Sequence, residues 1–216
     1  MNLFFDLDGT LTDSKPGIVA SIRHALRALG VKPPPDDEIA RLIGPPTQDA
    51  FAQLLGTTDR AAIERAVQVY RERFASVGMF DNSVYPGVID GLGALRARGF
   101  DMWVVTSKPQ VYAGTIVEHF GLRGFFRRVY GPELSGERSD KGELIAYILG
   151  VERRRAADTW MIGDRMHDIV GAKKNGLRAA GVLWGYGSRE ELRDAGADVL
   201  CESMPDLVRA FEAASP

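Results

Sequence analysis

Hydrophobic and polar positions follow two different patterns along the chain. Asn2–Phe5 form a short, mostly apolar run that stops at the polar turn Asp6–Thr10, which predicts a buried strand followed by a loop. From Val88 onward, short apolar runs alternate with segments in which apolar residues recur at helical spacing. Because strands separated by helices pair in parallel through crossover connections, this part of the chain predicts an α/β fold with a doubly wound parallel sheet.

The apolar runs after the first one predict five more strands, at Asp101–Thr106, Phe126–Tyr130, Thr159–Ile162, Ala179–Leu183 and Asp198–Leu200. Helical spacing predicts six helices around them, at Val88–Arg98, Tyr112–Phe120, Gly142–Leu149, Asp168–Asn175, Arg189–Ala195 and Pro205–Ala213. Ligands of such sheets bind at the carboxyl ends of the strands. Polar residues that follow the predicted strands are therefore the candidates for chemistry.

The segment between the first strand and this alternating region has helical spacing throughout. Ile18 and Ile22 begin one apolar stripe, and the longest predicted helix runs from Arg60 to Val77. No run in this segment has the pattern of a strand. We therefore predict an all-helical domain at residues 14–83, inserted into an α/β core formed by residues 1–13 and 84–216.

Composition narrows the classes of protein to consider. The 216 residues are 45% hydrophobic and 26% charged, as in folded globular proteins. A formal net charge of −2 provides no basic field for a nucleic-acid partner. No apolar stretch approaches the roughly 18 residues of a membrane span. The single cysteine, Cys201, suits a reducing compartment. We expect a cytoplasmic protein without a nucleic-acid or membrane partner.

Polar clusters follow three of the predicted strands. They are Asp6 and Asp8 after the first strand, Thr106, Ser107 and Lys108 after the second, and Asp164 and Asp168 after the strand at Thr159–Ile162. Carboxylates close together at strand ends repel each other unless a cation lies between them, and hard oxygen ligands suit Mg²⁺. Asp168 lies one helical turn beyond Asp164 and therefore faces the same way. Its alternative role is to favour the dipole of its helix.

For each of two further residues, the sequence allows two different roles. The Thr106 hydroxyl and the following backbone N–H can bind phosphate oxygens, and a threonine that merely ends a strand is equally consistent with the pattern. Lys141 either offsets the carboxylates from the start of its helix or is a solvated surface charge.

Taken together, the clusters resemble the haloacid dehalogenase-like superfamily of hydrolases. Asp6–Thr10 match its Asp-x-Asp-Gly-Thr motif, and Gly163–Asp168 match its Gly-Asp-x-x-x-Asp motif. Thr106 and Lys141 stand where the family has its second and third motifs. The four motifs in order cover most of the chain. The insert at 14–83 resembles the helical cap of the capped family members.

The resemblance implies a role for each motif residue. Asp6 would attack phosphorus and form an aspartyl-phosphate, and Asp8 would act as the general acid and then the general base. Mg²⁺ would be bound by the Asp6 carboxylate, the Asp8 backbone carbonyl and Asp164, with Asp168 in support. Phosphate or substrate contacts would come from Gly9, Thr10, Thr106, Ser107, Lys108, Lys141 and, from the insert, Arg41.

The resemblance also narrows the reaction. Asp8 indicates a phosphate ester as substrate, because an alkoxide leaving group needs a proton whereas a halide does not. The capped relatives include phosphoglycolate phosphatases and 5′-nucleotidase-like phosphatases, so the expected partner is a small phosphate ester. Two alternatives stay open: a sugar phosphomutase of the same fold, and a non-catalytic regulatory binding protein.

Overall fold

The computed structural model describes residues 1–212 and divides into two compact units. The sheet unit combines Met1–Asp13 with the chain from Val84 onward. The helical unit is Ser14–Ser83. Ala213, at which the last predicted helix ends, and residues 214–216 of the predicted core lie outside the described residues.

The sheet unit is built around six parallel strands. The strands within residues 1–212 are β1 (Asn2–Phe5), β2 (Thr12–Asp13), β3 (Ser83–Val84), β4 (Asp101–Val105), β5 (Val129–Tyr130), β6 (Thr159–Gly163), β7 (Arg178–Val182) and β8 (Val199–Cys201). The large sheet has the order β5-β4-β1-β6-β7-β8, and its neighbouring strands pair in parallel. This confirms the predicted α/β fold with a doubly wound parallel sheet.

Helices make up most of the remaining structure. The sheet unit contains α5 (Val88–Ala97), α6 (Gln110–His119), α7 (Lys141–Val151), α8 (Met166–Lys174), α9 (Arg189–Asp194) and α10 (Met204–Glu212). The helical unit contains α1 (Lys15–Ala28), α2 (Asp36–Ala40), α3 (Thr47–Leu55) and α4 (Arg60–Arg73), which continues as a π-helix at Phe74–Gly78. Within residues 1–212, no helix has both the length and the apolar character that crossing a bilayer requires.

The structure departs from the predicted strands by more than one residue in two places. The two-residue strands β2 and β3 were not predicted, and they pair with each other in a separate small sheet. The strand predicted from Phe126 begins only at Val129. Phe126 is nevertheless buried, because its ring packs edge-on against Phe5 at a centroid distance of 6.0 Å. Its apolar character reflects core packing and not strand pairing.

The register of the central strands determines where the polar loops begin. Phe5, the last residue of β1, lies opposite Val104 of β4 and Ile162 of β6. The Asp6 amide continues this pattern by donating to the Ile162 carbonyl at 2.9 Å. The loops that follow β1, β4 and β6 therefore leave the sheet at the same edge.

Candidate active site

Lys141 contacts residues at the ends of β1 and β4 and in the first turn of α8. It is the first residue of α7 and is only 5% exposed, so it is not a solvated surface charge. Its Nζ donates to Asp6 Oδ1 at 2.8 Å and to the Val105 carbonyl at 3.0 Å, and lies 2.8 Å from Asp168 Oδ1. Burial lowers the pKa of Lys141, but the charges of Asp168 and Asp6 raise it by more. Lys141 is therefore a fixed ammonium group beside Asp6.

Three buried carboxylates form the centre of the site. One carboxylate oxygen from each of Asp6, Asp164 and Asp168 lies within 4.8 Å of the others. Burial, together with the charges of Asp6 and Asp168, raises the pKa of Asp164 well above its usual range. The cluster therefore holds more negative charge than its surroundings stabilise, which is the electrostatic condition for binding a cation.

Asp164 is held from two directions. The Thr10 hydroxyl donates to Asp164 Oδ1 at 3.0 Å, and the Tyr186 amide donates to Oδ2 at 2.8 Å. Gly9 lets the first loop approach this closely: its φ is +81°, and a Cβ there would lie 2.2 Å from Asp164 Oδ2. The structure thus places Thr10, which was predicted to contact phosphate or substrate, against the metal-ligand candidate.

Asp168 has two roles in the local structure. Its Oδ2 accepts from the Arg165 amide at 3.2 Å, which caps the first turn of α8, and its other oxygen pairs with Lys141. Burial raises the pKa of Asp168 and the Lys141 charge lowers it, with a net shift upward. Both interpretations of Asp168 from the sequence, a helix-terminal residue and a member of the acidic cluster, therefore apply.

Asp8 lies beside Lys108 rather than Lys141. The Lys108 Nζ is 3.0 Å from Asp8 Oδ2. Asp8 Oδ1 is buried and has no hydrogen-bond partner within residues 1–212. The Thr106 hydroxyl accepts a hydrogen bond from the Lys108 amide at 3.2 Å. Ser107, between these two residues in the sequence, is partly exposed. The loop after β4 thereby brings a buried cation to the second aspartate of the first motif.

The loop after β7 is a part of the site that the sequence did not reveal. Its glycines predict only a turn, yet the Tyr186 amide binds Asp164, and the Trp184 Nε1 donates to the Thr10 carbonyl at 3.0 Å. A Cβ at Gly185 would lie 2.3 Å from both the Asp164 Cβ and the Gly9 carbonyl oxygen. The signal available in the sequence was the presence of two glycines, Gly185 and Gly187, within five residues of the end of β7.

Two tyrosines extend the site beyond the carboxylates. The Tyr186 hydroxyl donates to Asp13 Oδ1 at 3.0 Å. Burial, followed by the charges of Asp13 and Asp164, raises the pKa of Tyr85. The Tyr85 phenol therefore stays protonated at neutral pH and can serve as a neutral hydrogen-bonding group.

Arg41 belongs to the other unit of the chain. It is an exposed residue at the C-terminal end of α2. Its contact with substrate stays a prediction.

Replacing Gly185 with alanine tests whether this loop supports Asp164. We expect Gly185→Ala to cost about 1–3 kcal/mol of stability, because the new methyl group overlaps the Asp164 side chain and the Gly9 backbone. Any activity that depends on the position of Asp164 should fall with it. Thermal unfolding and turnover measure the two effects. Gly114→Ala is the matched control: it lies in α6 with no heavy atom near the added Cβ, and should be neutral or slightly stabilising. Equal stability of the two variants would contradict the assignment.

Comparisons with known proteins show to which family the chain is similar. The sequence matches the haloacid dehalogenase-like hydrolase family over residues 3–182. A 5′-nucleotidase from Pseudomonas aeruginosa is 42% identical over 98% of this chain and 95% of its own length. A phosphoglycolate phosphatase from Psychrobacter arcticus is 30% identical over 95% of this chain and 93% of its own length. The tyrosine-protein kinase PtkA from Mycobacterium tuberculosis is 37% identical over 86% of this chain, which spans only 62% of that kinase.

A solved structure of a related protein has a similar fold. The crystal structure of a predicted phosphatase from Clostridium acetobutylicum superposes with a TM-score of 0.94 at 37% identity, over 98% of both chains. The chain therefore belongs to the haloacid dehalogenase-like hydrolase family, which confirms the family that its four motifs indicated. The names of its relatives support the predicted phosphatase class.

Proposed function

We propose that this protein is a Mg²⁺-dependent phosphatase that hydrolyses small phosphomonoesters through an aspartyl-phosphate on Asp6. The observation that carries the proposal is the environment of the Asp6 carboxylate. It is buried at the end of the central strand, it accepts a hydrogen bond from the Lys141 ammonium at 2.8 Å, and it lies in a cluster with two further carboxylates. A carboxylate held in one orientation beside a cation is suited to attack an anionic phosphate.

The donor set fits a hard divalent cation. Four carboxyl groups, those of Asp6, Asp8, Asp164 and Asp168, face only two ammonium groups, those of Lys108 and Lys141, so their fully ionised form has an excess of two negative charges. Oxygen-only ligands favour Mg²⁺ over softer metals. The residues proposed to hold it are Asp6 and Asp164 through their carboxylates and Asp8 through its backbone carbonyl. Bound there, Mg²⁺ would screen the repulsion between nucleophile and phosphate.

The proposed reaction has two steps. An Asp6 oxygen forms a bond to phosphorus while the ester P–O bond breaks, and the departing alkoxide takes a proton from Asp8. Water then attacks phosphorus and gives a proton to Asp8 as the bond between Asp6 and phosphorus breaks, which releases phosphate and restores the Asp6 carboxylate and the protonated Asp8. Asp8 Oδ1 is suited to this role because it is buried without a hydrogen-bond partner in the described part of the chain, while Oδ2 is held by Lys108.

The phosphoryl group is proposed to be held by the loop after β4 and by Lys141. Thr106 and Ser107 supply hydroxyls there, Ser107 also supplies its backbone amide, and Lys108 and Lys141 supply positive charge. Gly9 and Thr10 border the same space, with the Thr10 hydroxyl holding Asp164 in place. This arrangement provides positioning and charge neutralisation, the two requirements of phosphoryl transfer.

We propose that residues 14–83 act as a cap that selects the substrate and that Arg41 contacts it. A nucleoside 5′-monophosphate is the favoured substrate, because the relative that is 42% identical over nearly the whole chain is named a 5′-nucleotidase. Phosphoglycolate is the second choice, supported by the relative that is 30% identical. A cytoplasmic location is part of the proposal, since Cys201 is a buried free thiol, which suits a reducing compartment.

Phosphate release from a panel of esters tests the function. The panel contains nucleoside 5′-monophosphates, phosphoglycolate, sugar phosphates and p-nitrophenyl phosphate, each with Mg²⁺ and with EDTA. We expect turnover that EDTA abolishes and Mg²⁺ restores, with a nucleoside monophosphate preferred. Transfer of phosphate between positions of a sugar, without release to water, would indicate a phosphomutase instead. Absence of both reactions in folded protein would favour a non-catalytic binding protein.

A further inference from the structure

A basic cavity lies within the helical unit and is distinct from the cluster around Asp6. Its volume is about 530 Å³, and all of its lining residues come from α1, the start of α2 and the last turn of α4. Part of its wall is apolar, formed by Pro16, Val19 and Ala20. A volume of this size with a mixed apolar and polar lining is typical of sites for small molecules.

The charged part of the wall is predominantly positive. Lys15, Arg23, Arg27 and Arg73 line the cavity against one carboxylate, Asp36, which leaves an excess of three positive charges from these residues.

The nearby acids neutralise only part of this charge. Asp36 pairs with Arg23, and Asp37 lies 3.6 Å from Lys15, so two positive charges remain when both acids are counted. The protein as a whole has a net charge of −2, so the positive charge of this cavity is opposite in sign to the net charge of the protein. A site of this charge attracts anions.

Arg73 supplies the specific signal. Its Nη1 atom is buried and has no hydrogen-bond partner among residues 1–212. A buried guanidinium N–H without an acceptor is costly, and nearly all such groups in folded proteins are paired. The ligand that satisfies it must bring an acceptor oxygen into a positively charged cavity. Phosphate oxygens match both requirements, and arginine binds them with charge-assisted hydrogen bonds.

We propose that this cavity binds the phosphate group of a small phosphorylated metabolite, with Arg73 as the principal contact. The apolar wall accommodates the organic part of the ligand. A bare phosphate ion is too small to fill this cavity. The helical unit then has a phosphate-recognising site whose lining residues differ from those of the carboxylate site in the sheet unit.

Residue-resolved titration tests the proposal without relying on activity. Amide spectra of ¹⁵N-labelled full-length protein are recorded in EDTA at constant ionic strength. The two probes are inorganic phosphate and an adenosine 5′-phosphonate, whose P–C bond cannot be hydrolysed. We expect saturable shifts in α1 and the last turn of α4, with tighter binding of the phosphonate. Arg73→Gln should weaken binding about tenfold or more. Arg65→Gln, an exposed arginine of α4 outside the cavity, should leave it unchanged.

Several outcomes would overturn the site. They are shifts that never saturate, shifts confined to the sheet unit, or equal binding by Arg73→Gln and wild type. Saturable binding of phosphate but not of the phosphonate would rule out a phosphorylated metabolite. Arg27→Gln, which removes an exposed charge from the same wall, replaces Arg73→Gln if that variant does not fold; unchanged affinity in this variant would equally contradict the proposal.

Discussion

Asp6→Asn is expected to abolish phosphate release, with a loss of turnover of about 10⁴-fold or more. The amide keeps the size of the side chain but lacks the anionic oxygen that forms the bond to phosphorus. The variant should fold at least as well as the wild type, because it removes one negative charge from a cluster of three buried carboxylates. Loss of activity without loss of stability would therefore assign a chemical role to Asp6.

Trapping the intermediate makes this test specific. Acid quenching with a ³²P-labelled ester should leave label on wild-type protein and none on Asp6→Asn. Asp194→Asn is the matched control, because it removes a solvent-exposed carboxylate on α9 by the same substitution. Mass spectrometry of the intact variant excludes deamidation back to aspartate. Full activity of Asp6→Asn would rule out the aspartyl-phosphate mechanism.

Lys141→Met is expected to lose about 3–5 kcal/mol of stability in EDTA at neutral pH. Methionine has a similar length, but it leaves Asp6 and Asp168 buried without the ammonium group that contacts both. Activity should fall as well, because the same ammonium orients Asp6. Urea denaturation measures the stability, and Mg²⁺ should restore part of it by supplying positive charge to the acidic cluster.

The pH dependence of this variant has a definite sign. The pKa values of Asp164 and Asp168 are already raised in the wild type, and loss of Lys141 raises the pKa of Asp168 further. In the pH range between the unfolded and the folded pKa, the native state then binds more protons than the unfolded state. Stability of Lys141→Met therefore falls as pH rises through this range and recovers toward acidic pH. Lys174→Met, an exposed lysine at the end of α8, should match wild type at every pH.

The positions of the site residues could be predicted because each signal is local. An apolar strand that ends at Asp6, and the later run that ends before Asp164, mark both residues as loop residues at the carboxyl ends of strands. Lys141 could be placed at the start of a helix, but not on the inside of the fold, because a single lysine has no local signal for burial. The short strands β2 and β3 have too few residues for any periodicity.

Contacts between loops could not be predicted from the sequence, for a different reason. Thr10 and Asp164 are 154 positions apart, and Lys141 and Asp6 are 135 apart, so no spacing rule relates them. Periodicity reports which side of an element is buried; it does not report which element lies next to it.

The alternation of strands and helices, the all-helical segment and the motifs could be identified without coordinates, because each depends on residues that are neighbours in the chain. Only the tertiary structure decided that β1 lies between β4 and β6, that Lys108 pairs with Asp8, and that the Tyr186 amide holds Asp164. Those contacts depend on the order of strands in the sheet, which the packing of the whole unit determines.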